Sequence, residues 1–153
     1  MTKIISFLSN RGPIIGTKAD TLRSLENRLD HSRVQPQISL SWDTINTNQK
    51  DLLEKVKSSI GSGPYIVRSS CKSEDGNDGS NAGVFTSILN VKEDLNKLIF
   101  AANQVYDSYC FKKISYPDQE KILIQPMLTS ARLSGVVFTR YKYSDSPYYV
   151  INY

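Results

Sequence analysis

The sequence predicts an α+β fold, a mostly antiparallel sheet with flanking helices. Three observations predict it. Short apolar runs bounded by Gly, Pro and small polar residues recur along the chain, as strands do. Between them, segments carry apolar residues at helical spacing. The last three apolar runs follow one another with only turn-like sequence between them, which favours hairpins. The 153 residues suffice for one ordinary domain with a real core.

Taken in order, Ile4 to Leu8 reads as a first strand, broken by Gly12, Pro13 and Gly16. From Ala19 to Leu29, the residues Leu22, Leu25 and Leu29 share a helical face. The Pro-led segment VQPQISLSW reads as extended. Asp43 or Thr44 is the expected cap of a second helix that buries Leu52, Leu53, Val56 and Ile60. GSGP at 61–64 stops it, because glycine takes the left-handed turn and proline cannot continue a helix.

Tyr65 to Ser69 and Val84 to Asn90 read as strands on either side of a long polar loop. Asn90 followed by Glu93 resembles a helix entry. Leu95, Leu98, Ile99, Ala102, Val105, Tyr106 and Tyr109 then form a strong stripe of period 3.6. SYPDQEK is a turn. Three closing strands are expected at Ile122–Met127, Ser134–Arg140 and Tyr148–Tyr153, the last two joined as a hairpin.

Composition narrows the function classes. Apolar residues make up 39% and charged residues 22%, as in a soluble globular chain, and no stretch approaches the ~20 apolar residues of a membrane span. Nineteen Lys and Arg against fifteen Asp and Glu leave a net charge of +4, enough for an anionic ligand but short of a nucleic-acid footprint. The nine Tyr and five Phe are scattered rather than interleaved with basic residues, which argues against base stacking. Cys71 and Cys110 show no metal spacing, and free thiols suit the cytoplasm. His31, the sole histidine, lies in a polar connector and reads as a surface residue.

Three stretches carry chemistry. YIVRSSCKSEDGNDGSNAGVFTSILNV sets Arg68 at the mouth of a loop rich in Gly, Ser and Asn. Such a loop can turn its N–H groups inward around an anion, and a guanidinium adds charge-assisted hydrogen bonds. A triphosphate calls for that combination. A solvated surface loop, with Arg68 paired to Glu74 or Asp75, is the plainer reading of these residues alone. Second, Gly16 and Lys18 precede a helix, where an ammonium can meet a phosphate, although this is no Walker A loop. Third, Gln125-Pro126-Met127 ends a strand at a proline. That bend offers backbone donors and acceptors to a purine edge, with Met127 against the ring; a strand end with a core Met is the plain alternative.

Together GTKADTL, VRSSCKSEDGNDGSNAGVFTSILNV, IQPM and SGVVFTR resemble, in this order, the nucleotide-binding domain of the pyruvate phosphate dikinase and phosphoenolpyruvate synthase family. Its pattern is GGKxxxL, a VRSSA-x-x-ED segment ending in LN, then VQxM and SGVxFT. The resemblance implies the N-terminal part of an ATP-grasp domain. Lys18 and Arg68 would hold phosphates and serve phosphoryl transfer. Gly83 with Thr86, Ser87, Ile88 and Leu89 would line the nucleotide, and Gln125, Pro126 and Met127 would meet the adenine. ATP would pass a phosphoryl group through a histidine on a swivelling domain to pyruvate or another small acceptor, with Mg2+ held by residues beyond this chain.

The departures are Thr17 for the second glycine of GGK, Cys71 for alanine, and a short segment between Lys18 and Arg68. This compact form resembles synthase-like kinases of surface-polysaccharide genes, some of which phosphorylate a metabolite such as glutamine, so the acceptor stays open. A non-catalytic nucleotide-binding or regulatory module is the other alternative. The aromatic end YYVINY, with the absent histidine and metal-binding halves, reads as a fragment that does not turn over ATP alone.

Overall fold

A computed structural model describes residues 16–26, 28–72, 85–140 and 146–153. The expected strand Ile4 to Leu8 and most of the loop after Arg68, Gly83 included, lie outside these residues.

Helices α1 (Lys18–Leu25), α2 (Trp42–Thr47), α3 (Leu52–Ile60) and α4 (Leu95–Phe111) accompany strands β1 (Ile38–Ser41), β2 (Tyr65–Ser70), β3 (Ser87–Val91), β4 (Lys121–Pro126), β5 (Val136–Phe138) and β6 (Val150–Asn152). The main sheet has the order β1-β4-β2-β3, and every pair in it is antiparallel. Strands β5 and β6 form a separate two-stranded hairpin, as the sequence predicts. The fold is therefore α+β.

The central strands β2 and β4 are largely buried between their neighbours, with apolar runs at Tyr65–Val67 and Ile122–Ile124. One face of the sheet meets α2, α3 and α4. Tyr65 and Val67 of β2 and Ile122 and Ile124 of β4 pack there with Val56, Leu98, Ala102, Val105 and Tyr109. This is the main core, and the stripe along α4 supplies about a third of it.

The other face carries α1, held mainly by polar links rather than by an apolar stripe. Ala19 N donates to Ser70 Oγ at 2.8 Å. Arg23 Nη2 donates to Ser39 Oγ at 3.1 Å, and Gln37 Nε2 donates to the Ala19 carbonyl at 3.1 Å. Lys121 Nζ pairs with Asp20 Oδ1 at 2.7 Å. Register explains why these groups converge. Arg68 lies opposite Leu123, Ile66 opposite Gln125, Ser70 opposite Lys121, and Ser39 opposite Leu123, so all share the face toward α1.

Several boundaries differ from the sequence expectation. The first helix ends at Leu25 rather than Leu29, and Leu29 falls in the connector beyond it. The second helix is two helices joined by a 3-10 turn at Gln49–Asp51. Its cap is Ser41, whose Oγ accepts from Thr44 N at 3.2 Å, and not Asp43 or Thr44. Helix α4 is capped by Asp94, which accepts from Lys97 N at 2.9 Å. Asn90 instead stays in β3 with φ 54, a left-handed conformation that asparagine tolerates. Gly61 closes α3 at φ 82, as expected of a glycine stop.

Ile124 has no exposed surface at the centre of β4, between β1 and β2. Ile124→Ala is expected to cost about 2–5 kcal/mol, the usual loss for deleting a fully buried isoleucine side chain. Urea denaturation checks it, and a change under about 1 kcal/mol would mean this core is loosely packed.

Candidate functional site

Between α1, the connector after it and the cleft face of the sheet lies a cavity of about 500 Å³. Leu22 and Leu25 of α1 form one wall, with Leu29, Arg33, Val34 and Gln35 from the connector. The floor is Ile66 and Arg68 of β2 and Gln125 and Pro126 of β4, and the rim is Met127 and Leu128. The size suits a small organic ligand. Its lining is mostly apolar and, among the described residues, includes two guanidinium groups, Arg33 and Arg68, but no carboxylate.

Arg68 is the most informative of these. Its Nε atom is buried, and among the described residues nothing accepts its hydrogen. A buried donor without an acceptor costs free energy, and a bound anion relieves that cost. The expected partners Glu74 and Asp75 lie outside the described residues.

Lys18 opens α1. Thr17 precedes it as the N-cap, accepting from Asp20 N at 3.3 Å while its hydroxyl donates to Asp20 Oδ2 at 2.8 Å. The departure from a GGK sequence thus has a local reason, because threonine supplies a cap that glycine lacks. Gly16 keeps its place because a Cβ there would meet the Asp20 Cβ at 2.8 Å. Lys18, Leu22 and Leu25 fall at i, i+4 and i+7, so Lys18 continues the stripe that walls the cavity. The Ala19 link to Ser70 sets this first turn beside the end of β2, two residues beyond Arg68. Arg68 lines the cavity, whereas Lys18 stands at the start of the helix that walls it and is not among the residues that line it.

The adenine-side candidates converge as well. Gln125 is nearly buried, and Pro126 and Met127 follow at the strand end. Met127 N is not available to a ligand, because it donates to the Pro64 carbonyl at 2.8 Å. Hydrogen-bonded and non-bonded pairs alternate along an antiparallel ladder. With Pro64 joined to Met127, the Tyr65–Pro126 pair is a non-bonded one. Proline is tolerated here since no ladder donor is required of it. Its carbonyl points away from β2, toward the side where β1 begins only at Ile38.

The run Thr86 to Leu89 does not act as one surface. Ser87 lies opposite Arg68, on the cleft face, and Leu89 follows the same parity and is 55% exposed. Ile88 lies opposite Val67 and packs on the main core. Thr86 faces a different cavity, beside Gln104, Asp107 and Ser108 of α4. Gly83 lies outside the described residues. The connector residues Arg33, Val34 and Gln35 were not singled out from sequence; they show no periodicity, and only the tertiary fold brings them to the cavity.

Asp20 is the one carboxylate in the first turn of α1. Hydrogen bonds from Lys121 and then from Thr17 hold its carboxyl below the ordinary carboxylate range. Among the described residues no group of three His, Cys, Asp or Glu side chains converges to hold a metal ion. No helix among them is long and apolar enough to cross a membrane.

Because the folded Asp20 pKa is lowered, its contribution to stability is present above the unfolded value near 4 and is lost as pH falls through the folded value. Both partners are more than a third exposed, so the size is roughly 0.2–1 kcal/mol. Asp20→Asn should thus melt slightly below wild type at pH 7, with the two curves converging in acid. Melting temperatures across pH 3 to 7 check this, and a gap that widens toward acid contradicts it.

A family model described as pyruvate phosphate dikinase, AMP/ATP-binding domain, matches residues 18–152. No curated protein and no solved structure matches the chain.

Proposed function

The chain belongs to the pyruvate phosphate dikinase AMP/ATP-binding domain family, and on that premise we propose that the cavity under α1 is its ATP site. The observation that carries the reading is the buried Nε of Arg68, which has no acceptor among the described residues, in a cleft that no described carboxylate lines. Arg68 takes a phosphate oxygen through its guanidinium, and Lys18 adds a second positive charge from the start of α1. Ser87, opposite Arg68, belongs to the same end of the site. Leu89 is the exposed residue that follows Ile88 on β3.

At the other end the purine edge meets the Pro126 carbonyl as acceptor. The Leu128 N–H, just beyond the strand end at the cavity rim, is the matching donor. Gln125 and Met127 border the ring, and Leu22 and Leu25 cover it. Thr86 and Ile88 serve the nucleotide only indirectly, through the position of β3. This division gives a polyanion a cationic end and a heterocycle an apolar one.

We further propose that the chain is the N-terminal part of an ATP-grasp domain in a cytoplasmic phosphotransferase. Magnesium supplies charge neutralisation on the phosphates when bound. Its ligands, the phosphorylated histidine and the acceptor site belong to parts of the protein outside these 153 residues. What this chain's residues do is bind, orient and shield the nucleotide. The acceptor is pyruvate or another small metabolite. A regulatory module that binds ATP without transferring its phosphoryl group is distinguished by turnover in the whole protein.

Arg68→Ala should lower ATP affinity by about 1.5–3 kcal/mol, the range for hydrogen bonds to charged groups. Lys18→Ala should act in the same direction. Calorimetric titration checks both, and unchanged affinity in Arg68→Ala refutes the phosphate assignment. The isolated chain should show no steady ATP hydrolysis in a coupled assay, and sustained turnover contradicts the division of labour proposed here.

A further inference from the structure

We propose that Tyr109, on α4 at the far side of the sheet, is a positioning residue for the phosphate end of the cleft. Its side chain has no exposed surface and reaches between the ends of the two central strands. The hydroxyl accepts from Ser70 N at 2.9 Å and donates to the Lys121 carbonyl at 2.7 Å. Ser70 and Lys121 are register partners at the last rung of the β2–β4 ladder. Tyr109 therefore bridges the two strands at this last rung.

The consequence passes through the sheet. Ser70, also fully buried, turns its Oγ to the opposite face, where it accepts from Ala19 N at 2.8 Å. Lys121 turns its ammonium to the same face, onto Asp20. Both links hold the first turn of α1. One phenol on the core side thus fixes the two strand-end residues that locate Lys18 on the cleft side. Phe85 packs edge-on against the Tyr109 ring, centroids 5.8 Å apart, which holds the ring in place where the chain re-enters β3. A tyrosine on a helical core stripe is ordinarily a packing residue. Here both hydrogen-bonding capacities of its hydroxyl are used on groups that lead to the cleft.

This assignment rests on the nucleotide reading above, so the test separates the two ends of the ligand. ATP and adenosine are titrated calorimetrically into the full 153-residue chain for wild type, Tyr109→Phe, Ser70→Ala and the double variant. Each single variant should bind ATP roughly tenfold more weakly while adenosine affinity stays within about twofold. The double variant should be about as weak as one single variant, because the two act in one chain of contacts. A purely structural role lowers ATP and adenosine affinity together, and that outcome overturns the positioning role. Unchanged ATP affinity in Tyr109→Phe overturns it as well. If Tyr109→Phe does not fold, Ser70→Ala tests the route at its last link, since it removes the Oγ that Ala19 meets, and unchanged ATP affinity in Ser70→Ala overturns the route from Tyr109 to Lys18. Wild-type protein that binds neither ligand overturns the nucleotide reading and this inference with it. Binding by wild type with ATP and adenosine equally affected in the variants overturns this inference alone.

Discussion

The pairing of β2 with β4 is the constraint on which the rest of the structure depends. Both strands are buried, and their register assigns each side chain to one of two unlike faces. Tyr65, Val67, Ile122 and Ile124 face the helices of the core. Ile66, Arg68, Ser70, Lys121, Leu123 and Gln125 face α1. A slip of one residue would send the Arg68 guanidinium into the apolar core and Val67 into the cleft. The desolvation cost of a charge unpaired in the core makes that alternative untenable. Burial of one face thereby orders the chemistry of the other, and the hydrophobic pattern of two short strands sets where a charged group can stand.

The two faces are held by different forces. On the core face, α4 is fixed by interlocked apolar side chains, whose stabilisation scales with buried area. On the cleft face, α1 is attached through hydrogen bonds and an ion pair, each worth about 1 kcal/mol or less. A helix held that way leaves the sheet beneath it only partly covered, and the cavity occupies the uncovered part. An amphipathic helix with a wider apolar stripe would have sealed the floor. The polarity of α1, with Lys18, Asp20 and Arg23 in its first two turns, is what keeps the cleft open.

Much of this was legible in the sequence. The strand runs at Tyr65, Ile122 and Val136 and the stripe of α4 appear where periodicity puts them, because those signals are local and repeat. The helix starts were less legible. Asp43 and Asn90 are good cap residues by type, yet Ser41 and Asp94 do the capping, because a cap is decided by which side chain meets the N–H three residues on. The cleft was legible in part. Arg68, Gln125, Pro126 and Met127 were each expected and do line one cavity. The run Thr86 to Leu89, expected to line the nucleotide together, divides between two faces because side chains alternate along a strand. Arg33, Val34 and Gln35 carry no sequence signal, and Tyr109 hides its hydroxyl behind an ordinary apolar position.

The position of Asp20 shows how the cleft keeps its positive character. A carboxylate in the first turn suits the helix dipole and completes the cap with Thr17. It also lies two residues from Lys18, where a free negative charge would oppose a polyanion. Lys121 removes that conflict, since its ammonium is bonded to Asp20 and the net charge of the pair is zero. The Asp20 carboxylate therefore keeps its structural part without setting a negative field at the mouth of the cleft. Lys121 can do this only from the first residue of β4, opposite Ser70, where Tyr109 holds its carbonyl. The charge balance of the cleft and the closing rung of the central ladder thus depend on the same residue.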